Sequence, residues 1–202
     1  MAGLFVTLEG PEGSGKSTQL RLLAAALAPQ DPVVVREPGG TALGEALREV
    51  LLHRSELEIS PEAEAYLFMA ARAELVAERI APALAAGRLV LSDRYHDATL
   101  VYQGEVGGVG VPWPPSFPRP DLTALLLVPP QLGLERQREA RGAPDRIGGR
   151  PLDFHRQVVE GYRRLAAADP DRFLVVDGTR PPEEVRDELL ARIHRLLVGA
   201  AP

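Results

Sequence analysis

A single lysine in a glycine-rich run carries the first chemistry of this chain. Gly10-Pro11-Glu12-Gly13-Ser14-Gly15-Lys16-Ser17-Thr18 has the spacing Gly-x-x-x-x-Gly-Lys-Ser. In that pattern glycines let backbone amides curl around phosphate oxygens, the lysine reaches the outer phosphates, and the serine hydroxyl offers an oxygen to Mg²⁺. Of the 23 basic residues Lys16 is the only lysine, the rest being arginines. An ammonium is a compact point charge that fits inside a curled loop, whereas a guanidinium is a wide planar fork. Gly10 to Thr18 is therefore read as the binding loop for a nucleoside triphosphate, with Lys16 as its cation.

Other groups fall into runs that suit a second anion and a ring. Ser92-Asp93 ends an apolar stretch, so Asp93 can hold Mg²⁺ with Ser17, directly or through water. Asp93-Arg94-Tyr95 adds an arginine able to clamp an anion bidentately, the lesser alternative being a pair with a nearby acid. Arg36-Glu37-Pro38-Gly39-Gly40-Thr41 is a tight turn that keeps Arg36 and Glu37 at one edge, and its tightness favours a cis Glu37–Pro38 bond, although most such bonds are trans and the sequence leaves the isomer open. Phe68 and Arg72 stand four apart, on one face of a helix. They could stack on a base and hydrogen-bond its carbonyl, or simply pack. Arg136, Arg138, Arg141, Arg146 and Arg150 crowd a stretch broken by Gly142, Pro144, Gly148 and Gly149, which suits a closing lid at about residues 141–151 or a solvated basic helix end. Of the histidines, His53, His96, His155 and His194 lack metal spacing and are read as surface or packing residues.

These groups need elements to hold them. Apolar runs at Leu4 to Leu8, Val33 to Val35, Leu89 to Leu91, Leu122 to Val128 and Phe173 to Val176 suit buried strands. Between them lie helical patterns: Ser17 to Leu27, Thr41 to Leu52, a long one from Ser60-Pro61-Glu62 toward Gly87 that Pro82 should kink or shorten, Gln131 to Arg141, Leu152 to Ala168, and Pro181 to Val198 with Thr179 as its cap. Val106 to Pro120 reads as a long ordered loop. Regular alternation predicts an α/β fold, a mostly parallel sheet with helices on both faces and sites at the carboxyl ends of the strands.

Composition narrows the class. The 202 residues fit one domain, 1–202, with net charge −5 and no cysteine, which argues against a nucleic-acid duplex or anionic membrane as partner and against a disulfide framework or thiolate site. The start lacks a basic region and no apolar run reaches a membrane span, so a cytoplasmic protein is expected. No asparagine occurs, which excludes the Asn-Lys-x-Asp guanine-reading motif of common GTPase switches.

The glycine loop, Arg36-Glu37-Pro38-Gly39-Gly40-Thr41, the Phe68 to Arg72 segment, Asp93-Arg94-Tyr95 and Tyr102-Gln103-Gly104 occur in an order that resembles thymidylate kinase over nearly the whole chain. The resemblance implies a P-loop nucleoside monophosphate kinase-like three-layer fold with a five-stranded parallel sheet. It implies transfer of the ATP γ-phosphoryl group to dTMP, giving dTDP and ADP, with Mg²⁺ and in a homodimer. By the same resemblance Phe68 stacks on thymine, Arg72 donates to its O4, Arg94 helped by Arg36 holds the dTMP phosphate, and Glu12 lies near the sugar 3′-hydroxyl. Glu37, Pro38, Tyr95, Thr99, Tyr102 and Gln103 complete the acceptor side, with the Tyr102 ring crowding a 2′-hydroxyl. The turn holding Arg180 packs against adenine. Because Glu12 to Ser14 contain no arginine, the chain is similar to the bacterial variant in which the lid supplies the catalytic arginine, Arg146 first and Arg141 second. Another nucleoside monophosphate kinase, or a nucleotide-gated binding protein without enzyme activity, are the alternatives that stay open on the sequence.

Overall fold

A computed structural model of the chain describes residues 3–54 and 56–199, with the Arg141 side chain outside the described part. Five strands, β1 (Phe5–Glu9), β2 (Val33–Arg36), β3 (Val90–Asp93), β4 (Leu122–Leu127) and β5 (Phe173–Asp177), form one all-parallel sheet in the order β2-β3-β1-β4-β5. The helices are α1 (Lys16–Ala26), α2 (Ala42–Arg48), α3 (Pro61–Leu75), α4 (Ala81–Ala85), α5 (His96–Thr99), α6 (Pro130–Arg141), α7 (Leu152–Ala168) and α8 (Pro182–Gly199). Side chains alternate along a strand, and β1 shows the result. Val6 and Leu8 join Leu20, Leu23, Leu27, Leu189 and Ile193 from α1 and α8, whereas Phe5 packs with Leu75, Ile80 and Tyr95 on the opposite face. A third cluster sets Val158 and Tyr162 of α7 against Leu125 and Phe173.

All five strands therefore end at one edge. The turns after β1, β2, β3 and β5 hold, in order, the glycine loop, Arg36 to Thr41, Arg94, and Gly178 to Arg180. The connection after β1 runs toward β2 and the one after its neighbour β4 runs the other way, toward β5, and a ligand crevice opens at such a switch point.

Local chemistry explains the helix starts. Ser60 Oγ accepts from Ala63 N at 3.3 Å ahead of Pro61, and Thr41 Oγ1 accepts from Gly44 N at 2.9 Å. Thr179 is not a cap, because its hydroxyl donates to Asp177 Oδ1 at 2.7 Å inside the preceding turn. The long helix expected from Ser60 breaks upstream of Pro82, in a π turn at Val76–Ile80. Pro82 itself falls in the first turn of α4, where a missing amide costs least. The pattern Thr41 to Leu52 is likewise α2 followed by a π turn, Glu49–His53. Helix α5 and the π turn Leu100–Val106 were not anticipated. Thr99, Val101 and Tyr102 are weak helix formers, and this stretch is held by packing against α7. Residues 107–121 are an ordered loop as expected, pinned by Trp113 Nε1 donating to Phe117 O at 3.0 Å and by the Arg119 guanidinium 4.5 Å over the Trp113 ring.

Candidate active site

Glycine conformations build the floor of the site. Gly13 has φ 64°, and a Cβ there would come within 1.9 Å of Gly133 O on α6, so neither the backbone angle nor the space admits a side chain. The loop ends at Gly15 in a left-handed conformation, and no side chain caps α1. Its first-turn amides are thus left for an anion, with the positive end of the helix behind them.

Lys16 is folded into this loop with all three of its N–H donors engaged, to Gly10 O at 3.0 Å, Pro11 O at 2.7 Å and Ser14 Oγ at 3.2 Å. Burial first, and then the positive Arg94, push its pKa down to about 8 against the pull of Asp93, Glu12 and Glu9. At the mouth of the loop Ser17 Oγ donates to Asp93 Oδ2 at 2.6 Å. These are two hard oxygen donors side by side, and among the described residues no cluster of three or more His, Cys, Asp or Glu forms a fuller metal cage.

Arg94 links the loop to the rest of the cleft. Its φ is 71°, a left-handed conformation that costs a non-glycine residue about 1–3 kcal/mol and needs surrounding contacts to hold it. The guanidinium has them: Nη1 donates to Gly10 O at 3.0 Å and Tyr162 Oη at 3.1 Å, Nη2 to Glu12 Oε1 at 3.0 Å and Tyr102 Oη at 3.2 Å. Tyr102 in turn donates to the Glu12 carboxylate, 2.9 Å from each oxygen. Burial alone would raise the Glu12 pKa, but the adjacent His155 ring, Arg94 and Lys16 outweigh it and hold the carboxyl at about 2. His155 Nδ1 lies 3.3 Å from Glu12 Oε2, and its buried ring nitrogens meet no partner of hydrogen-bonding geometry. That contact is one of proximity rather than an aligned hydrogen bond. Behind Arg94 sits Glu9, which accepts from Tyr95 N and Tyr162 Oη at 2.7 Å each. Burial carries its pKa up to about 7, although Arg94 opposes this.

A second arginine is fully enclosed. Arg72 Nε donates to Glu37 Oε2 at 2.7 Å, Nη1 to Thr99 Oγ1 at 2.9 Å and His96 Nδ1 at 3.3 Å, and Nη2 to Tyr95 O at 3.0 Å. Burial, then the charge of Arg72, lowers the His96 pKa to about 3. The ring is therefore neutral, with Nδ1 accepting and Nε2 donating to Pro112 O at 3.0 Å. The Glu37–Pro38 bond is cis, the isomer that the tight turn favours.

A cleft of about 580 Å³ joins these parts. Glu12 to Thr18, Arg36, Glu37, Pro38, Phe68, Arg72, Asp93, Arg94, Thr99, Tyr102, Gln103 and Arg180 line it, and Gly10 and Pro11 contribute the carbonyls that Lys16 holds. Arg36 pairs with Glu45 at 2.9 Å on the rim, and Arg180 with Glu188 at 2.5 Å. Two expected residues are not brought to the cleft. Tyr95 follows Arg94 with extended backbone (φ −158°) and points the opposite way, its ring fully buried edge-on against Phe5 at 4.9 Å. Arg146 turns its guanidinium to Glu64 at 2.6 Å and to Leu51 O at 2.8 Å. The side chain of Arg141 lies outside the described residues.

Sequence reasoning passed over Glu9, Tyr162, His155 and Glu64. Signals existed for three of them: Glu9 is a carboxylate closing an apolar strand, and His155 and Tyr162 are polar groups seven apart, two turns along the apolar face of α7.

A family model described as Thymidylate kinase matches residues 8–189. A protein called thymidylate kinase from Thermomicrobium roseum is 48% identical, with 96% of this chain and 95% of the relative covered. One of the same name from Deinococcus radiodurans is 48% identical over 95% and 96%. The crystal structure of thymidylate kinase from Ehrlichia chaffeensis superposes with a TM-score of 0.75 at 26% identity, covering 96% of this chain and all of that one.

Proposed function

The chain belongs to the thymidylate kinase family, and on that premise we propose how the cleft divides its work. The reaction is transfer of the γ-phosphoryl group of ATP to dTMP, yielding dTDP and ADP. One observation carries the assignment of residues: the Arg94 guanidinium bonds the Gly10 carbonyl of the loop that encloses Lys16, so a donor-phosphate cation and an acceptor-phosphate cation adjoin in one cleft. Phosphoryl transfer asks mainly for positioning and for positive charge on the equatorial oxygens.

On the donor side, Gly10 to Thr18 hold the ATP phosphates with their amides, and Lys16 exchanges its loop carbonyls for the β and γ oxygens. Arg180 packs at the adenine end. On the acceptor side, Phe68 stacks on thymine and Arg72 reads O4. Arg94 with Arg36 holds the phosphate, Glu12 the region of the 3′-hydroxyl, and Glu37, Pro38, Thr99, Tyr102 and Gln103 form the walls. Glu37 and Tyr95 O fix the orientation of the Arg72 guanidinium, and Nη1 exchanges its bond to Thr99 or His96 for O4 when the base is bound. Tyr95 acts through its carbonyl, which orients Arg72. Ser17 and Asp93 suit Mg²⁺ carried on the nucleotide, since that ion takes one or two protein oxygens and keeps phosphates and waters for the rest. A Mg²⁺ held there would supply positive charge to the transferring phosphates.

The chain works as one domain, 1–202, with residues 141–151 as a lid that supplies Arg146 or Arg141 to the phosphoryl group. It pairs with a second copy, a reading supported by Leu43, 46% exposed, and Tyr66, 64% exposed, on the packed pair α2 and α3. A cytoplasmic location accords with the lack of cysteine and with the absence, among the described residues, of any helix long and apolar enough to cross a membrane. The decisive experiment is ADP formation with ATP and a panel of monophosphates. dTMP should react far faster than dUMP, dCMP, AMP or GMP, and equal rates across the panel would sink the reading.

A further inference from the structure

Glu64, in the first turn of α3, sits outside the roles assigned above, yet two guanidiniums and an amide converge on its buried carboxylate. Arg150 Nη2 donates to Oε2 at 2.8 Å and Gln103 Nε2 to Oε1 at 2.8 Å, while Arg146 Nη2 lies 2.6 Å from the same Oε2 as an ion pair without hydrogen-bond alignment. One anion faces two guanidiniums, so the cluster keeps an uncompensated positive charge. The two arginines are not equivalent: Arg146 is the more enclosed and also bonds Leu51 O, whereas Arg150 is 30% exposed and lies over the Phe154 ring at 4.6 Å. Gly148 and Gly149 separate them. Gly142 precedes the segment with φ 75°, and nothing lies within 4 Å of where its Cβ would be.

Taking one partner from a buried ion pair is strongly unfavourable because it strands the other charge. Were Arg146 the sole partner of Glu64, that cost would lock it in place and keep it from any phosphate. A second guanidinium on the same oxygen changes the exchange. Glu64 stays paired while Arg146 leaves for an anion of greater charge.

We infer that Glu64 is the docking group of the arginine segment and that Arg150 is the stand-in which keeps it neutralised when Arg146 is handed to the transferring phosphoryl group. This rests on Arg146 as the phosphoryl-contacting arginine and adds two positioning residues that touch no substrate themselves.

Steady-state kinetics on Arg146→Ala, Arg150→Gln, Arg150→Lys and Glu64→Gln/Arg150→Gln tests it, with thermal melts to confirm folding. Arg146→Ala should lower kcat about 100-fold with KM for dTMP little changed. Arg150→Gln should lower kcat about tenfold with both KM values within about twofold, and Arg150→Lys should recover most of it. Adding Glu64→Gln to Arg150→Gln should restore kcat to within about threefold of the parent, since Arg146 then leaves no buried charge behind. Unaltered turnover in Arg146→Ala overturns the catalytic reading and this inference with it. A slow Arg146→Ala beside a normal Arg150→Gln, or a double variant no faster than Arg150→Gln, overturns this inference alone.

Discussion

Glu12 and Arg94 form an ion pair of 3.0 Å in the throat of the cleft, the carboxylate reaching up from the glycine loop and the guanidinium across from the end of β3. Tyr102 bonds both members, so the pair fixes three groups that face the acceptor.

Glu12→Gln removes the anion while keeping the shape. With Arg94 left under-compensated, the melting temperature should drop by several degrees, corresponding to about 1–3 kcal/mol for a partly buried pair, and KM for dTMP should rise roughly tenfold. Because the carboxyl is held at about 2, below its ordinary 4.5, its contribution is fully present above pH 4.5 and is lost as pH falls toward 2. The gap between parent and variant in thermal melts should therefore persist at pH 5 and narrow only below about 4.5.

Lys16 gives a prediction of opposite sign. An amine whose pKa is lowered from 10.5 to about 8 contributes stability above pH 10.5 and loses it as pH falls through 8, so its buried charge weakens the free protein at neutral pH. Lys16→Met should melt about 2–6 °C higher at pH 7, an advantage that shrinks between pH 8 and 10.5, while kcat falls by about 100-fold or more. A variant that melts lower at every pH contradicts this.

The same amine predicts a pH profile for the parent enzyme. Loss of its proton should reduce kcat/KM for ATP above about pH 8, whereas kcat should hold to higher pH because bound phosphates retain the ammonium. The first parameter reports the free enzyme and the second the loaded one. Coincident limbs in the two profiles would remove Lys16 as their cause.

Arg72 and Glu37 are both nearly inaccessible, at 1% and 4% side-chain exposure and 2.6 Å apart. Arg72→Ala strands Glu37, whose carboxyl burial already raises above its ordinary range, and should cost about 3–5 kcal/mol in denaturant unfolding along with most thymine recognition. Adding Glu37→Gln should recover a large part of the stability without recovering recognition, measured as the ratio of kcat/KM for dTMP to that for dCMP.

Strand positions, the glycine loop and the turn at Arg36 to Thr41 were legible because each rests on neighbours in the chain: an apolar run, a φ only glycine tolerates, a proline between fixed residues. The side chains that orient Arg94 were less so. Tyr162 is 68 residues away from it and His155 is 143 residues beyond Glu12, and only the sheet order brings α7 over the loop. Tyr95 adjoins Arg94 in the chain but not in direction, because a left-handed Arg94 (φ 71°) followed by an extended Tyr95 (φ −158°) turns the two side chains apart. The direction of Arg146 depends on Glu64, 82 positions earlier, and nothing local announces that partner.

The close approach of Gly13 to Gly133 gives the molecule a mechanical linkage. Helix α6 touches the glycine loop near its own start and runs on to Arg141, eight residues and about 12 Å farther, where the arginine segment begins. With that contact as a fulcrum, the helix would behave as a lever. A tilt of about 5° imposed at the loop would displace the far end by about 1 Å, given that rise per residue. Filling of the loop by a nucleotide would thus be felt at the root of the segment proposed as the lid.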